Sequence, residues 1–104
     1  MDVQLKRGLL EVCVLAVIRN QPSYGYRIIK DMEPYVSISE STLYTILKRL
    51  EDTDMLTVKT VEHNSRLRKY YQITKLGLKK IEEFKEYWTD MEAMAKFIIR
   101  EDVV

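Results

Sequence analysis

The hydrophobic pattern of this chain changes its period twice, and the order of the three regimes leaves few architectures open. Up to Leu50 apolar residues recur at steps of three and four. From Leu56 to Ile73 they alternate, and beyond Thr74 the helical step returns and persists to Ile98. Helices, then a two-stranded ribbon, then one long helix describe a mainly α fold with a small β-hairpin.

Apolar residues Leu5, Leu9, Val12, Leu15, Ala16 and Ile18 place a first amphipathic helix over about Leu5–Arg19, with an unusually wide apolar face. Asn20-Gln21-Pro22-Ser23 stops it, and Ser23 is placed to cap a second helix from about Tyr24 to Glu33, which Pro34 ends. Tyr26 and Ile29, with Met32 or Ile28, are expected to face inward. Ser39 and Ser41 both offer cap hydroxyls to a third helix. At ~100° per residue, Leu43, Ile46, Leu47 and Leu50 share one side of it, Ser41, Thr45 and Lys48 lie opposite, and Tyr44 lies on the flank. The alternation of Leu56 and Val58 against Thr57, Lys59 and Val61, and a second run over Arg68–Ile73, make a hairpin joined through His63-Asn64-Ser65-Arg66-Leu67.

Thr74 can cap the final helix, expected to reach about Arg100. Its apolar residues Ile81, Phe84, Trp88, Met91, Ala95 and Ile98 step by three and four, an a/d heptad seam that Gly77 precedes in register. A helix of that length, about 39 Å, exceeds what a three-helix domain needs. Part of the stripe, with Tyr87 and Met94 beside the seam, therefore lacks a partner in its own chain, and a two-fold dimer through this seam, packing also against the first helix, is the expectation.

With 104 residues, 46% hydrophobic and 32% charged, the chain can build one core but not two. Residues 1–74 are read as a winged helix-turn-helix DNA-binding unit and 75–104 as a C-terminal dimerisation helix, in one compact body. Charge is nearly balanced overall but not locally. Residues 41–80 hold nine basic and four acidic side chains, whereas 81–104 hold three and seven, so the middle of the chain suits phosphate and its end does not.

The lone cysteine, Cys13, cannot form an internal disulfide and sits in an apolar run as a small hydrophobe, which fits a reducing, cytoplasmic setting. Lys6-Arg7 before an apolar stretch mimics a secretion signal, but Glu11 interrupts it and no small-residue cleavage site follows. No stretch approaches the ~20 apolar residues of a membrane span. One histidine, His63, and one cysteine cannot assemble a metal site. Acidic residues of the last helix lie mostly off the seam, on a solvated face, and neither an enzymatic centre nor a cofactor is expected.

A short helix, a connection, and a second helix with small polar residues outward is the geometry that enters a major groove. Ser41, Tyr44, Thr45 and Lys48 of the third helix are the candidate DNA contacts there. Arg66, Arg68 and Lys69 of the hairpin are the candidates for the backbone and the adjacent minor groove. Trp88 on the seam has two readings: plain interface core, or, with Tyr87, Met91 and Met94, a candidate pocket between subunits for a flat aromatic or hydrophobic effector.

The motifs Gly8-Leu9-Leu10-Glu11, Tyr24-Gly25-Tyr26-Arg27-Ile28-Ile29, Ser41-Thr42-Leu43-Tyr44 with Leu47-Lys48-Arg49-Leu50-Glu51, and Arg68-Lys69-Tyr70-Tyr71-Gln72-Ile73-Thr74 followed by Gly77 resemble the PadR-like transcriptional regulators over about Leu5–Phe84. The resemblance implies a dimeric winged-helix repressor of the short subgroup. Its C-terminal helix dimerises, and in some members aromatic compounds relieve repression. Ser41, Thr42, Tyr44 and Lys48 then belong to the recognition helix, and Arg66, Arg68 and Lys69 to the wing. Thr45 stands where proline is frequent, Asp54 where a glycine usually closes the recognition helix, and Asn64-Ser65-Arg66-Leu67 lacks the usual glycine. Asp54 can take a left-handed cap at modest cost. The expected partners are pseudo-palindromic double-stranded DNA, a second copy of the chain and a small aromatic effector. The other class is a winged helix that binds only another protein, its long helix serving as the docking surface.

Overall fold

The computed structural model describes residues 1–101; positions 102–104, the end of the expected C-terminal segment, lie outside the described residues. The elements follow in the order α1 (Val3–Val17), α2 (Gly25–Met32), α3 (Glu40–Asp52), β1 (Leu56–His63), β2 (Arg66–Ile73) and α4 (Lys75–Ile98). Asp2 caps α1 by accepting from the Gln4 and Leu5 amides, Ser39 caps α3 through the Thr42 amide, and Thr74 caps α4 through the Gly77 amide. Each satisfies donors that the first helical turn leaves open.

Ser23 does not cap α2. It forms a β-bridge with Tyr71, donating its amide to the Tyr71 carbonyl at 3.1 Å and accepting the Tyr71 amide at 2.7 Å. It thus adds a one-residue third strand to the β1-β2 ribbon. Tyr24 becomes the α2 N-cap with no side-chain bond, which leaves its ring free to pack against the hairpin.

Leu43, Ile46, Leu47 and Leu50 are buried as their spacing requires, together with Leu10, Val14, Leu15, Ile18, Ile28, Met32, Leu56, Tyr71 and Ile81. Two helices are rotated from the expected phase. In α1 the buried face is Leu10, Glu11, Val14 and Leu15, continued by Ile18, while Leu5 and Ala16 are exposed and Leu9 and Val12 half-buried. In so apolar a helix either face satisfies the period, and packing against α3 and α4 decides between them. In α2 the inward residues are Gly25, Ile28 and Met32; Ile29 is half-buried, and Tyr26 is 66% exposed rather than inward.

The hairpin pairs Leu56 with Ile73 through His63 with Arg66, so His63 ends a strand and the turn is Asn64-Ser65 alone. Both turn residues have positive φ, 49° and 63°, the backbone of a two-residue hairpin turn without glycine. Asp54 takes the left-handed cap after α3 at φ 61°. Its carbonyl accepts Thr74 Oγ1 at 2.6 Å, which ties the foot of the ribbon to the start of α4.

Beyond Ile81 the α4 seam leaves the core. Phe84 is half-buried and stacked on Trp88, with centroids 6.4 Å apart, while Tyr87, Trp88, Met91, Met94, Phe97 and Ile98 are exposed. No helix among the described residues is long and apolar enough to cross a membrane.

Candidate nucleic-acid interface

The α3 cap leaves Ser41, Tyr44, Thr45 and Lys48 exposed on one side of the helix because Leu43, Ile46, Leu47 and Leu50 take the other. The hairpin rises from the C-terminal end of α3, and its basic residues on β2 return toward α2. Tyr44, Tyr24, Gly25, Tyr26, Leu67, Arg68, Lys69 and Tyr71 line one open cleft of about 720 Å³. Three elements thus bring phenols and two cations to one solvent-facing recess.

Arg68 is held there. Its guanidinium carbon lies 4.0 Å above the centroid of the Tyr24 ring, and Tyr24 meets Tyr70 edge-on at 5.7 Å. A planar cation stacked on an aromatic face keeps its N–H edge available for an anion. Tyr71 roots the ribbon, and burial holds its phenol above the ordinary range, with Tyr44 and Glu51 adding to the shift. Arg66 lies at the hairpin tip, paired with His63.

The α3 candidates divide. Tyr44 faces the hairpin cleft, whereas Thr42 and Thr45 line a separate groove, about 640 Å³, shared with Lys6, Arg7 and Leu10 of α1. Thr45 Oγ1 donates to the Ser41 carbonyl at 3.0 Å, and Thr42 Oγ1 accepts from Ser39 Oγ at 2.8 Å, so both hydroxyls already serve the helix start. Lys48 Nζ lies 3.1 Å from Asp52, and that carboxylate raises its pKa first by hydrogen bonding and then by charge. A phosphate would have to exchange with Asp52 to take this cation.

Reading the sequence missed Tyr24 and Tyr26 as walls of the cleft, although the string containing them was conspicuous; the phase of α2 hides their exposure. It also passed over Glu11, a buried carboxylate that meets Arg49 of α3 and Lys80 of α4. Of the seam, Ile81 is core of its own chain and only 6% exposed, so it is withdrawn from the free stripe, which runs from Phe84 to Ile98. Among the described residues no cluster of His, Cys, Asp and Glu suited to a metal occurs.

Solved structures share this fold. A PadR family transcriptional regulator from Eggerthella lenta is 31% identical, with a TM-score of 0.83 over 95% of this chain and 89% of that one. A protein from Streptococcus mutans is 37% identical, with a TM-score of 0.77 over 92% and 94%. The fold also matches Bacillus subtilis PadR, crystallised in complex with operator DNA, at 21% identity and a TM-score of 0.68 over 92% of this chain and 50% of that longer one. The model of the transcriptional regulator PadR-like family matches residues 14–83, from the core of α1 through the hairpin into α4. Members of that family are transcriptional regulators rather than enzymes, and this chain belongs to the PadR-like family of transcriptional regulators.

Proposed function

We propose that the protein is a homodimeric, cytoplasmic repressor that binds a pseudo-palindromic operator through α3 and the wing. The observation that carries this reading is the single cleft onto which Tyr44 of α3 and Arg68 and Lys69 of β2 converge. A polar helix face suits the major groove, its hydroxyls meeting phosphates or base edges. Arginines on a projecting ribbon suit the minor groove beside it. The Bacillus subtilis relative bound to operator DNA supports the same use of the fold.

Two unpartnered apolar stripes support the dimer. One is the distal seam of α4, and the other is Leu5, Leu9 and Ala16 on the outer face of α1, exposed or half-buried, with Val12, which partly packs on the core, completing the a/d spacing. A second copy presenting its own α4 covers both. Between the two copies Trp88, flanked by Tyr87, Met91 and Met94, offers a stacking surface, with Asp90 and Glu92 nearby in sequence, for a flat aromatic or hydrophobic cation that releases the operator.

Titration with random duplex DNA across salt concentrations tests the central claim. Lys48→Ala and Arg68→Ala are each expected to lower the salt slope by about one without unfolding the protein. Unchanged slopes in both, or no duplex binding at low salt, refute the DNA-facing assignment and leave a protein-binding module. For the effector, a planar cationic dye is expected to bind saturably and displace DNA. Its own emission then reports loss of binding in a Trp88→Ala dimer, and unaltered binding in that variant removes Trp88 from the pocket.

A further inference from the structure

Glu11 stands at the middle of the buried face of α1, between Leu10 and Val14, and is 6% exposed. Its carboxylate receives Arg49 Nε of α3 at 2.8 Å on one oxygen and Lys80 Nζ of α4 at 3.8 Å on the other. The Arg49 contact is an ion pair without hydrogen-bond alignment, so Oε1 is buried with no directed donor. Stability does not explain such a group, because an apolar side chain of similar size in a buried position commonly serves a fold as well or better. Its location does offer an explanation. It joins the helix that carries Tyr44 and Lys48 to the helix that carries the free apolar seam.

We propose that Glu11 is a positioning residue that sets the angle between α3 and α4, and through it the separation of the two α3 helices in the dimer. The proposal rests on the dimeric DNA-binding reading above. Lys80 lies in the second turn of α4, close to where that helix leaves Thr74. The helix extends about 36 Å, so a small rotation at this base is magnified at its far end. In a two-fold dimer that displacement becomes a change in recognition-helix spacing, which must stay near ~34 Å to meet successive major grooves. Arg19–Glu82, at 3.7 Å, also links α1 to α4, but both side chains are about half exposed and solvent screens them. At Glu11, by contrast, the carboxylate that both cations share is itself buried, with Lys80 31% and Arg49 58% exposed, so solvent reaches this link from the cation side only.

The test uses the full chain and a duplex selected by it from a random pool, together with versions whose half-sites are moved apart or together by two base pairs. The unmodified protein is expected to prefer the selected spacing at least tenfold. Glu11→Gln keeps the size of the side chain and removes its charge. It is expected to remain a folded dimer and to bind an isolated half-site within twofold of the parent, with its spacing preference reduced to threefold or less. Retention of the full preference by a folded Glu11→Gln dimer overturns the proposal. Lys80→Met, which severs only the α4 contact and leaves Glu11 with Arg49, is expected to lose the preference likewise, whereas Lys80→Arg keeps it. If Glu11→Gln fails to fold, the Lys80 pair decides, and equal preference in both Lys80 variants overturns the proposal. Absence of any spacing preference in the unmodified protein is a separate outcome, which overturns the dimeric reading and the proposal with it.

Discussion

Gly77→Ala should destabilise the protein although alanine is the better helix former. A Cβ at position 77 would lie 2.3 Å from the Met55 carbonyl oxygen and 2.6 Å from Ile73 Cγ1. The carbonyl is not free to retreat. The Met55 carbonyl accepts the Thr74 amide at 3.1 Å, and Asp54 next to it accepts Thr74 Oγ1 at 2.6 Å. Restoring an ordinary C···O separation requires the start of α4 to move by about 1 Å. Overpacking of this kind costs about 1–3 kcal/mol, and two weakened hydrogen bonds add about 1 kcal/mol each. Helix propensity returns about 1 kcal/mol, which leaves a net loss of about 2–4 kcal/mol. Gly8 supplies the internal control, since nothing lies within 4 Å of an added Cβ there. Gly8→Ala should therefore gain up to about 1 kcal/mol. Equilibrium urea unfolding at one fixed protein concentration measures both, because the proposed dimerisation would make the midpoint depend on concentration. With a slope of about 2 kcal/mol/M, Gly77→Ala lowers the midpoint by about 1–2 M while Gly8→Ala raises it slightly. Midpoints that shift in the same direction refute the reasoning.

Asp52→Asn removes the carboxylate 3.1 Å from Lys48 and a negative charge from the exposed face of α3. Duplex binding at low salt should tighten severalfold, read by fluorescence anisotropy, and unchanged affinity shows that this end of α3 does not approach phosphate. Met91→Asp places a charge on the free part of the seam and should yield folded monomers in sedimentation velocity. Ile81→Asp, in the core of its own chain, should instead unfold the protein. Dimeric Met91→Asp removes the distal seam from the interface.

The helices, the hairpin and the left-handed cap at Asp54 were legible because each rests on local rules: a period, a cap hydroxyl, a tolerated φ. Leu43, Ile46, Leu47 and Leu50 show the case in which one apolar face is unambiguous. In α1 two faces compete, and only the bodies of α3 and α4 choose Leu10, Val14 and Leu15 over Leu5 and Leu9. Tyr26 was read inward because it shares a spacing with Ile29, whereas tight packing against α3 fills that space with Gly25 and Ile28; the Tyr44 hydroxyl lies only 3.0 Å from where a Gly25 Cβ would stand. Of the candidate DNA contacts, Tyr44, Arg68 and Lys69 meet at one cleft, while Thr42 and Thr45 turn toward α1. Nonlocal pairings such as Glu11 with Arg49 carry no signature in spacing, and neither does the bridge that takes Ser23 away from the helix it was expected to cap.

That bridge also bears on how the chain acquires its shape. Positions 23 and 71 are separated by nearly half the sequence, so their pairing demands closure of a long loop, whereas α2 packs against α1 and α3, its neighbours in sequence. As the polypeptide emerges N-terminus first, the three helices can collapse while the backbone of Ser23 still lacks its mate and the cavity awaiting Leu56 and Tyr71 stays open. Leu56 enters with β1, and β2 then supplies Tyr71 and the partner of Ser23 together. The ribbon is therefore part of the core as well as an appendage to it, and a nascent chain halted before Tyr71 is left with an unpaired Ser23 backbone and an unfinished core.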